Sequence, residues 1–419
     1  MTGALGRLNP FKSADARRLA LLFGIVYFSQ GMWYLPNQTI RGVLKDRGLS
    51  AGQVDTFFLI ATFAWNVKPL YGLISDFVPL FGSRRRSYFL LTTALAVVAG
   101  ATLGASATHP YLWLVGLVAL MGLGLAFTDV LTDALMVENG RASGLTGAFQ
   151  SVQWAAINLA QIVLGLVGGY LAARRDLRGA LLLATVFPLI SFVMAVFVVR
   201  EPRQRRDPDA FARTWGAIRI AIHDRDLWVV AAFILFFAFS PSLGSALYFH
   251  QINSLRFTDE FVGHLTALTA VGAVAGAAVY APLSRRTTLR FRIAVGIGLG
   301  AFGTLGYLLY RTPLSAVVID TVYGALGMVT LLAFLDLAAK VCPGHVEATF
   351  FALLMSVYNI GTATSGVAGG YLYDWFGYQI LVVISAGATA LAWIVMPFVG
   401  MDRIEAKARA EAEGFAAIA

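Results

Sequence analysis

Lys68, Asp129 and Asp133 stand inside long apolar runs of the chain. An ionised side chain in hydrocarbon is costly unless it faces water or a partner, so each of the three calls for a chemical role. Lys68, just before Pro69, can receive the anionic group of a ligand, or it can pair with an acid on a neighbouring helix. Asp129 and Asp133 are four residues apart and share a helical face, with Thr128 and Thr132 beside them. Two carboxylates so placed repel, which favours a proton on one of them. The other reading is that one or both bind a basic loop as gate elements. Asn158 and Asn359, with Gln150, Gln153 and Gln161 near the first, offer amides that can read a heterocycle or bond a neighbouring helix. Asp336 and Lys340 are also four apart, with Glu347 close behind in sequence, a pattern that suits an internal salt bridge at a gate. Asp320 fits an outer gate or a reach to the membrane interface. Gln30 and Asn37 can serve only if their helix is rotated inward.

The elements that must hold these residues follow from composition. Of 419 residues, 58% are hydrophobic and 13% charged, against about 45–50% and ~25% in soluble globular chains. The mean hydropathy of +0.72 agrees. At ~20 residues per crossing this supplies about twelve helical spans, which excludes a soluble enzyme, a nucleic-acid binder and a disordered chain. Apolar runs place the spans at 19–40, 54–79, 88–107, 111–137, 145–173, 179–199, 227–250, 260–283, 291–310, 314–340, 347–372 and 378–400.

The net charge of +9 is a topology signal. With both ends in the cytoplasm, 23 of the 32 Lys and Arg fall inside and eight outside, and Lys68 lies within a span. The first 18 residues, with Arg7, Lys12, Arg17 and Arg18, read as a cytoplasmic tail and not as a cleaved signal. The lone Cys342 excludes an internal disulfide.

Two halves repeat. Gly-Gly-Tyr-Leu occurs at 168–171 and again at 369–372, the offset that also relates Asn158 to Asn359, while Asp133 and Asp336 are 203 apart. Tyr71-Gly-Leu-Ile-Ser-Asp76 pairs with Tyr280-Ala-Pro-Leu-Ser-Arg285, where arginine replaces the aspartate. The matches keep chain order, as a duplication requires. The expected organisation is a tail at 1–18, a six-helix half at 19–200, a basic linker at 201–226, a second half at 227–400 and a tail at 401–419.

Trp65-Asn-Val-Lys-Pro-Leu-Tyr-Gly-Leu-Ile-Ser-Asp76 and the following Phe77-Val-Pro-Leu-Phe-Gly-Ser-Arg-Arg-Arg-Ser-Tyr88 resemble the second span and loop of the folate-biopterin transporter family, a branch of the major facilitator superfamily. Tyr27-Phe-Ser-Gln-Gly31, Thr128-Asp-Val-Leu-Thr-Asp-Ala-Leu-Met-Val-Glu138 and Cys342-Pro-Gly-His-Val-Glu-Ala-Thr-Phe-Phe-Ala-Leu-Leu-Met-Ser356 carry the same resemblance, which spans about a quarter of the chain. It implies proton-coupled uptake of folates or reduced pterins. On that reading Lys68 draws the anionic end, and Asp129 and Asp133 take the heterocycle or the proton. Gln153, Asn158 and Asn359 complete the polar lining. Gly72, Asp76, Gly82 and Arg84 to Arg86 resemble the superfamily's gating loop, with a turn lengthened by Phe77 to Phe81. Asp76 can meet the start of span 11 near His345 to Ala348, and an arginine can bridge to Asp133 or Glu138, closing the cytoplasmic side.

Other signals are discounted. Gly298-Leu-Gly-Ala-Phe-Gly303 matches a dinucleotide fingerprint but lies inside an apolar span, where glycines serve helix packing. His264 reads as a packing residue, and Phe236, Phe237 and Phe239 as packing or lipid-facing residues. No Walker A stretch and no metal-ligand spacing occur.

The sequence therefore predicts an all-α membrane protein with a twelve-helix major facilitator fold, two pseudo-symmetric six-helix halves facing each other across a central cavity. It is expected to act as a monomeric secondary transporter of an organic anion, not an enzyme, in the plasma or inner membrane. Protons and the surrounding lipid bilayer are its other expected partners; a cofactor, a metal and nucleic acid are not. The competing readings are a transporter of another solute, such as a peptidoglycan fragment, a sugar or an amino acid, and a transporter-like assembly factor that moves nothing.

Overall fold

Hydrocarbon offers no water to backbone N–H and C=O groups, so long apolar runs close their hydrogen bonds internally as helices. A computed structural model describes residues 10–143, 145–199, 201, 215, 216, 219, 222–342 and 347–418. Among them are sixteen α-helices. They are α1 Ala14–Gly31, α2 Asn37–Asp46, α3 Ala51–Ala61, α4 Lys68–Phe77, α5 Arg86–Ala105, α6 Tyr111–Ser143, α7 Thr146–Ala173 and α8 Leu177–Phe197, then α9 Arg225–Ala238, α10 Gly244–Phe249, α11 Asp259–Arg286, α12 Leu289–Gly306, α13 Pro313–Val341, α14 Glu347–Phe376, α15 Tyr378–Val395 and α16 Met401–Ile418.

Ten stretches are individually long and apolar enough to cross a membrane, and α3 with Phe63–Phe77 makes an eleventh, bent by 47°. The remaining expected span, 227–250, is broken: α9 stops at Ala238, the chain passes Pro241, and α10 runs into a π-helical turn at His250–Ser254. Short polar side chains set the helix starts. Ser13, Ser50, Thr258, Thr288 and Thr312 each accept a backbone N–H of the first turn, satisfying a donor that the helix itself leaves open.

The chain forms two compact units. The first comprises Met1–Gly42 and Phe63–Asp207, and the second comprises Val43–Thr62 and Pro208–Ala419. In the first, α5 packs on α6 and α8, and α1 packs on α7. Its apolar centre holds Phe23, Tyr27, Phe89, Leu131 and Phe149, all essentially without solvent exposure.

In the second unit α3 packs on α14, and α11 and α12 pack on α13. The α11–α13 contact has no room for side chains. A methyl added at Gly276 would lie 2.2 Å from the Ala325 carbonyl oxygen, and one at Gly324 would lie 2.1 Å from that of Thr269. Lipid chains are as apolar as leucine, so such helices gain little from burial as such and associate through close backbone packing of this kind.

Candidate functional site: a charged cluster in the first unit

The first unit gathers several of the sequence-selected residues into one cluster. A 3-10 segment, Phe63–Val67, precedes α4, so Lys68 opens that helix at a bend. Its ammonium forms an ion pair with the Asp129 carboxylate of α6 and lies 4.6 Å from the centre of the Trp65 ring. Trp65 stacks in turn on Trp33 at 5.8 Å. Only 4% of the Asp129 side chain and 18% of the Lys68 side chain are exposed.

One turn further along α6, Asp133 accepts hydrogen bonds from the Tyr27 hydroxyl and, at 3.5 Å, from the Gln153 amide. Four helices therefore contribute: α1, α4, α6 and α7. The hydroxyl of Thr128 meets that of Thr92 at 2.9 Å, and the Thr132 hydroxyl donates to the Thr128 carbonyl, which fixes this turn of α6. Chemically the cluster is one ammonium and two carboxyl groups, one carboxyl satisfied by the cation and the other by neutral donors.

Asn158 stands apart from this network. Its amide donates to the Trp154 carbonyl of its own helix at 2.8 Å. Asn359 is half-buried on α14 in the second unit.

The loop before α5 holds a second network. Arg85 is buried, and its guanidinium meets Asp76 at 2.6 Å, Glu138 at 2.7 Å and the Ser75 hydroxyl at 2.9 Å. Burial pulls the Arg85 pKa down, but the Asp76 and Glu138 charges outweigh it and raise it above its ordinary value. The three arginines thus do different work. Arg84 and Arg86 offer backbone N–H groups to Glu201 at 3.0 Å each, and the Arg86 guanidinium donates to the Val196 carbonyl. The tight turn that makes this possible places Phe81 and Gly82 at positive φ, 53° and 79°, with Leu80 and Ser83 bonded backbone to backbone across it. Of the expected partners of this loop, His345 lies outside the described residues, and so does the side chain of Glu347.

In the second unit Asp336 bonds Lys340 at 2.9 Å and, more closely, Arg292 at 2.6 Å. Asp320 is buried and accepts from the hydroxyls of Tyr307 at 2.7 Å and Tyr310 at 2.6 Å, the latter also bonded by Gln251. Among the described residues no group of three or more His, Cys, Asp or Glu could hold a metal ion.

A profile of the BT1 family matches residues 30–395. The chain belongs to the BT1 family. It is 31% identical over 408 residues to the folate-biopterin transporter of Synechocystis, covering 90% of this chain and 80% of that one. It is 24% identical to the probable folate-biopterin transporter 4 of Arabidopsis thaliana, covering 91% and 92%. Among solved structures it is similar to the nucleoside transporter NupG, at a TM-score of 0.70 and 12% identity over 91% of this chain and 98% of the other. The fold is thus that of a major facilitator transporter, and the chain is an integral, multi-pass membrane protein.

Sequence reasoning missed several charged residues of this BT1-family chain. Glu201 accepts from the N–H groups of Arg84, Arg85 and Arg86 and from the Ser83 hydroxyl. Glu405 accepts from the Leu289 N–H at the start of α12. Each glutamate follows the last membrane-length helix of its unit, and they stand 204 residues apart, as Arg85 and Arg292 stand 207 apart. The repeat offset was the available signal. Asp55 and Asp374 were missed for want of one. Asp55 accepts the Ser245 hydroxyl at 2.6 Å and its N–H at 3.1 Å, and Asp374 accepts the N–H groups of Ala51 and Gly52 at 3.1 and 3.0 Å.

Proposed function

We propose that this protein is a secondary active transporter that carries folate or a related pterin across the membrane by alternating access, with protons as the coupling ion. The observation that carries the reading is the buried Lys68–Asp129 pair with Asp133 one turn away. An ion pair kept in hydrocarbon is expensive to maintain, and a scaffold has no use for one. The names of the relatives support the cargo, since a folate couples carboxylates to a flat heterocycle.

In this mechanism a substrate carboxylate replaces Asp129 on the Lys68 ammonium. Asp129, now without its cation, either takes a proton or grips the amino-pyrimidine edge of the ring through paired hydrogen bonds. Proton uptake keeps the net charge of the cluster constant, which ties anion movement to proton movement. Asp133 and Gln153 hold the second polar position, and Asn158 and Asn359 extend the lining. The networks of Arg85 with Asp76 and Glu138, and of Asp336 with Lys340, serve as cytoplasmic gates, and Arg84, Arg86 and Glu347 are assigned to gating as well. Both termini lie in the cytoplasm, the membrane is the plasma or inner membrane, the protein works as a monomer, and it catalyses no covalent chemistry.

The test is uptake of labelled folate by proteoliposomes with and without an inward proton gradient. Saturable uptake that rises with the gradient and collapses with a protonophore is expected. No saturable uptake of folate or of any pterin tested would overturn the cargo, and uptake indifferent to the protonophore would overturn the coupling.

A further inference from the structure

The C-terminal helix α16 reads from sequence as a tail, yet its first two turns, Met401 to Lys407, are docked on the second unit. Its apolar residues Met401 and Ile404 are buried in the same cluster as Leu289, Ile293, Leu337, Val341 and Cys342. Around that apolar contact runs a ring of charges. Arg403 pairs with Asp226, Lys407 with Asp224 at 3.2 Å, and Asp402 with Arg290 at 3.3 Å. These pairs are largely exposed and contribute little individually.

Glu405 is different. It sits 3.9 Å from Arg292 and 3.8 Å from Lys340, and its other oxygen takes the Leu289 N–H at 3.0 Å. Arg292 is only 2% exposed and also donates to the Ser284 and Thr287 carbonyls at 2.6 Å each. Two cations, Arg292 and Lys340, thus face two carboxylates, Asp336 and Glu405, and the quartet is neutral only while α16 is docked. Removing one carboxylate leaves a buried guanidinium short of a counter-charge, a costly arrangement.

We propose that α16 is a latch, with Glu405 as its pin. It binds the start of α9, the start of α12 and the end of α13 into one block, so that these ends of the second unit move together. The proposal concerns the second unit alone and needs no assumption about cargo.

Cys342, the sole cysteine, supplies a native reporter, because it is buried under this contact. The experiment compares the full chain in lipid nanodiscs with Glu405→Gln, which keeps shape and loses charge, and with a chain ending at Gly400. Two rates are read: labelling of Cys342 by a small maleimide, and hydrogen exchange of the Leu289–Ile293 amides. Both are expected to rise about tenfold in Glu405→Gln, as loss of a charge-assisted bond predicts, and further in the shortened chain. If Glu405→Gln matches the parent while the shortened chain labels fast, apolar docking alone holds α16 and the pin is wrong. If both variants match the parent, the latch is wrong.

Discussion

At the residue scale the chain concentrates its costs in a few buried charges, each with an identifiable partner. Lys68 is held by Asp129 and by the Trp65 ring, and in the proposed function its ammonium is the anchor for a substrate carboxylate. Lys68→Ala should weaken half-saturation for folate uptake by about tenfold to hundredfold, the range for a hydrogen bond to a charged group. Binding as tight as the parent's would remove Lys68 as the anchor. Asp129→Asn should separate binding from coupling. It should still exchange labelled for unlabelled folate across the bilayer, but it should no longer accumulate folate against a gradient when a pH difference is imposed. Glu201 makes a pH prediction. Burial pushes its carboxyl up, but hydrogen bonds from the Ser83 hydroxyl and from the N–H groups of Arg86, Arg85 and Arg84 win and hold it below the ordinary glutamate value. A depressed folded-state pKa contributes stability that is complete above the unfolded value of about 4.3 and is lost as pH falls through the lower folded value. Amide exchange of Arg84 to Arg86, corrected for its intrinsic pH dependence, should therefore accelerate below about pH 4 in the parent and be fast and flat in Glu201→Gln.

Among the elements, the helices themselves were legible and their interruptions were not. Apolar length gives the spans, because any run of that length in hydrocarbon must be helical. It is blind to the bend ahead of Lys68, where Phe63–Val67 tightens to a 3-10 turn within a mostly apolar run. Pro241 is visible in the sequence, but the break into α9 and α10 is not, nor is Asp55 as the acceptor for Ser245 in the first turn of α10. The cluster was partly legible for the same reason. Intramembrane Lys and Asp announce themselves by composition, whereas Tyr27, whose hydroxyl bonds Asp133, looks in sequence like any aromatic of an apolar run. For Asp320 the sequence allows both a gate and an interface position, and its two tyrosine partners cannot be read from spacing. The burial of Met401 and Ile404 is not legible in the tail at 401–419, because charged residues alternate there with small alanines and no apolar stripe stands out. The α11–α13 contact makes the sharpest packing prediction. Gly276→Val forces a branched side chain against the Ala325 carbonyl, an overpacking that costs about 1–3 kcal/mol or more. The variant should lower the thermal midpoint in detergent, while Gly306→Ala, where an added methyl meets nothing within 4 Å, should leave it unchanged.

For the whole molecule, the segment Val43–Thr62 has a consequence for how the chain can be divided. By sequence it belongs early in the chain, yet its contacts place it in the second unit, where Asp374 takes the N–H groups at the start of α3 and Gly52 lies against Gly370. Cutting the gene between Asp207 and Pro208 would therefore not yield two self-sufficient products. The piece 208–419 would lack α3, leaving the Gly370 face of α14 and the Ser245 N–H without their native cover. Expressed alone, that piece should be degraded. Expressed together with 1–207, it should persist and be retained with it on an affinity column that binds only the first piece. Such split-gene complementation is the behaviour of a protein whose later fragment must borrow a helix from the earlier one.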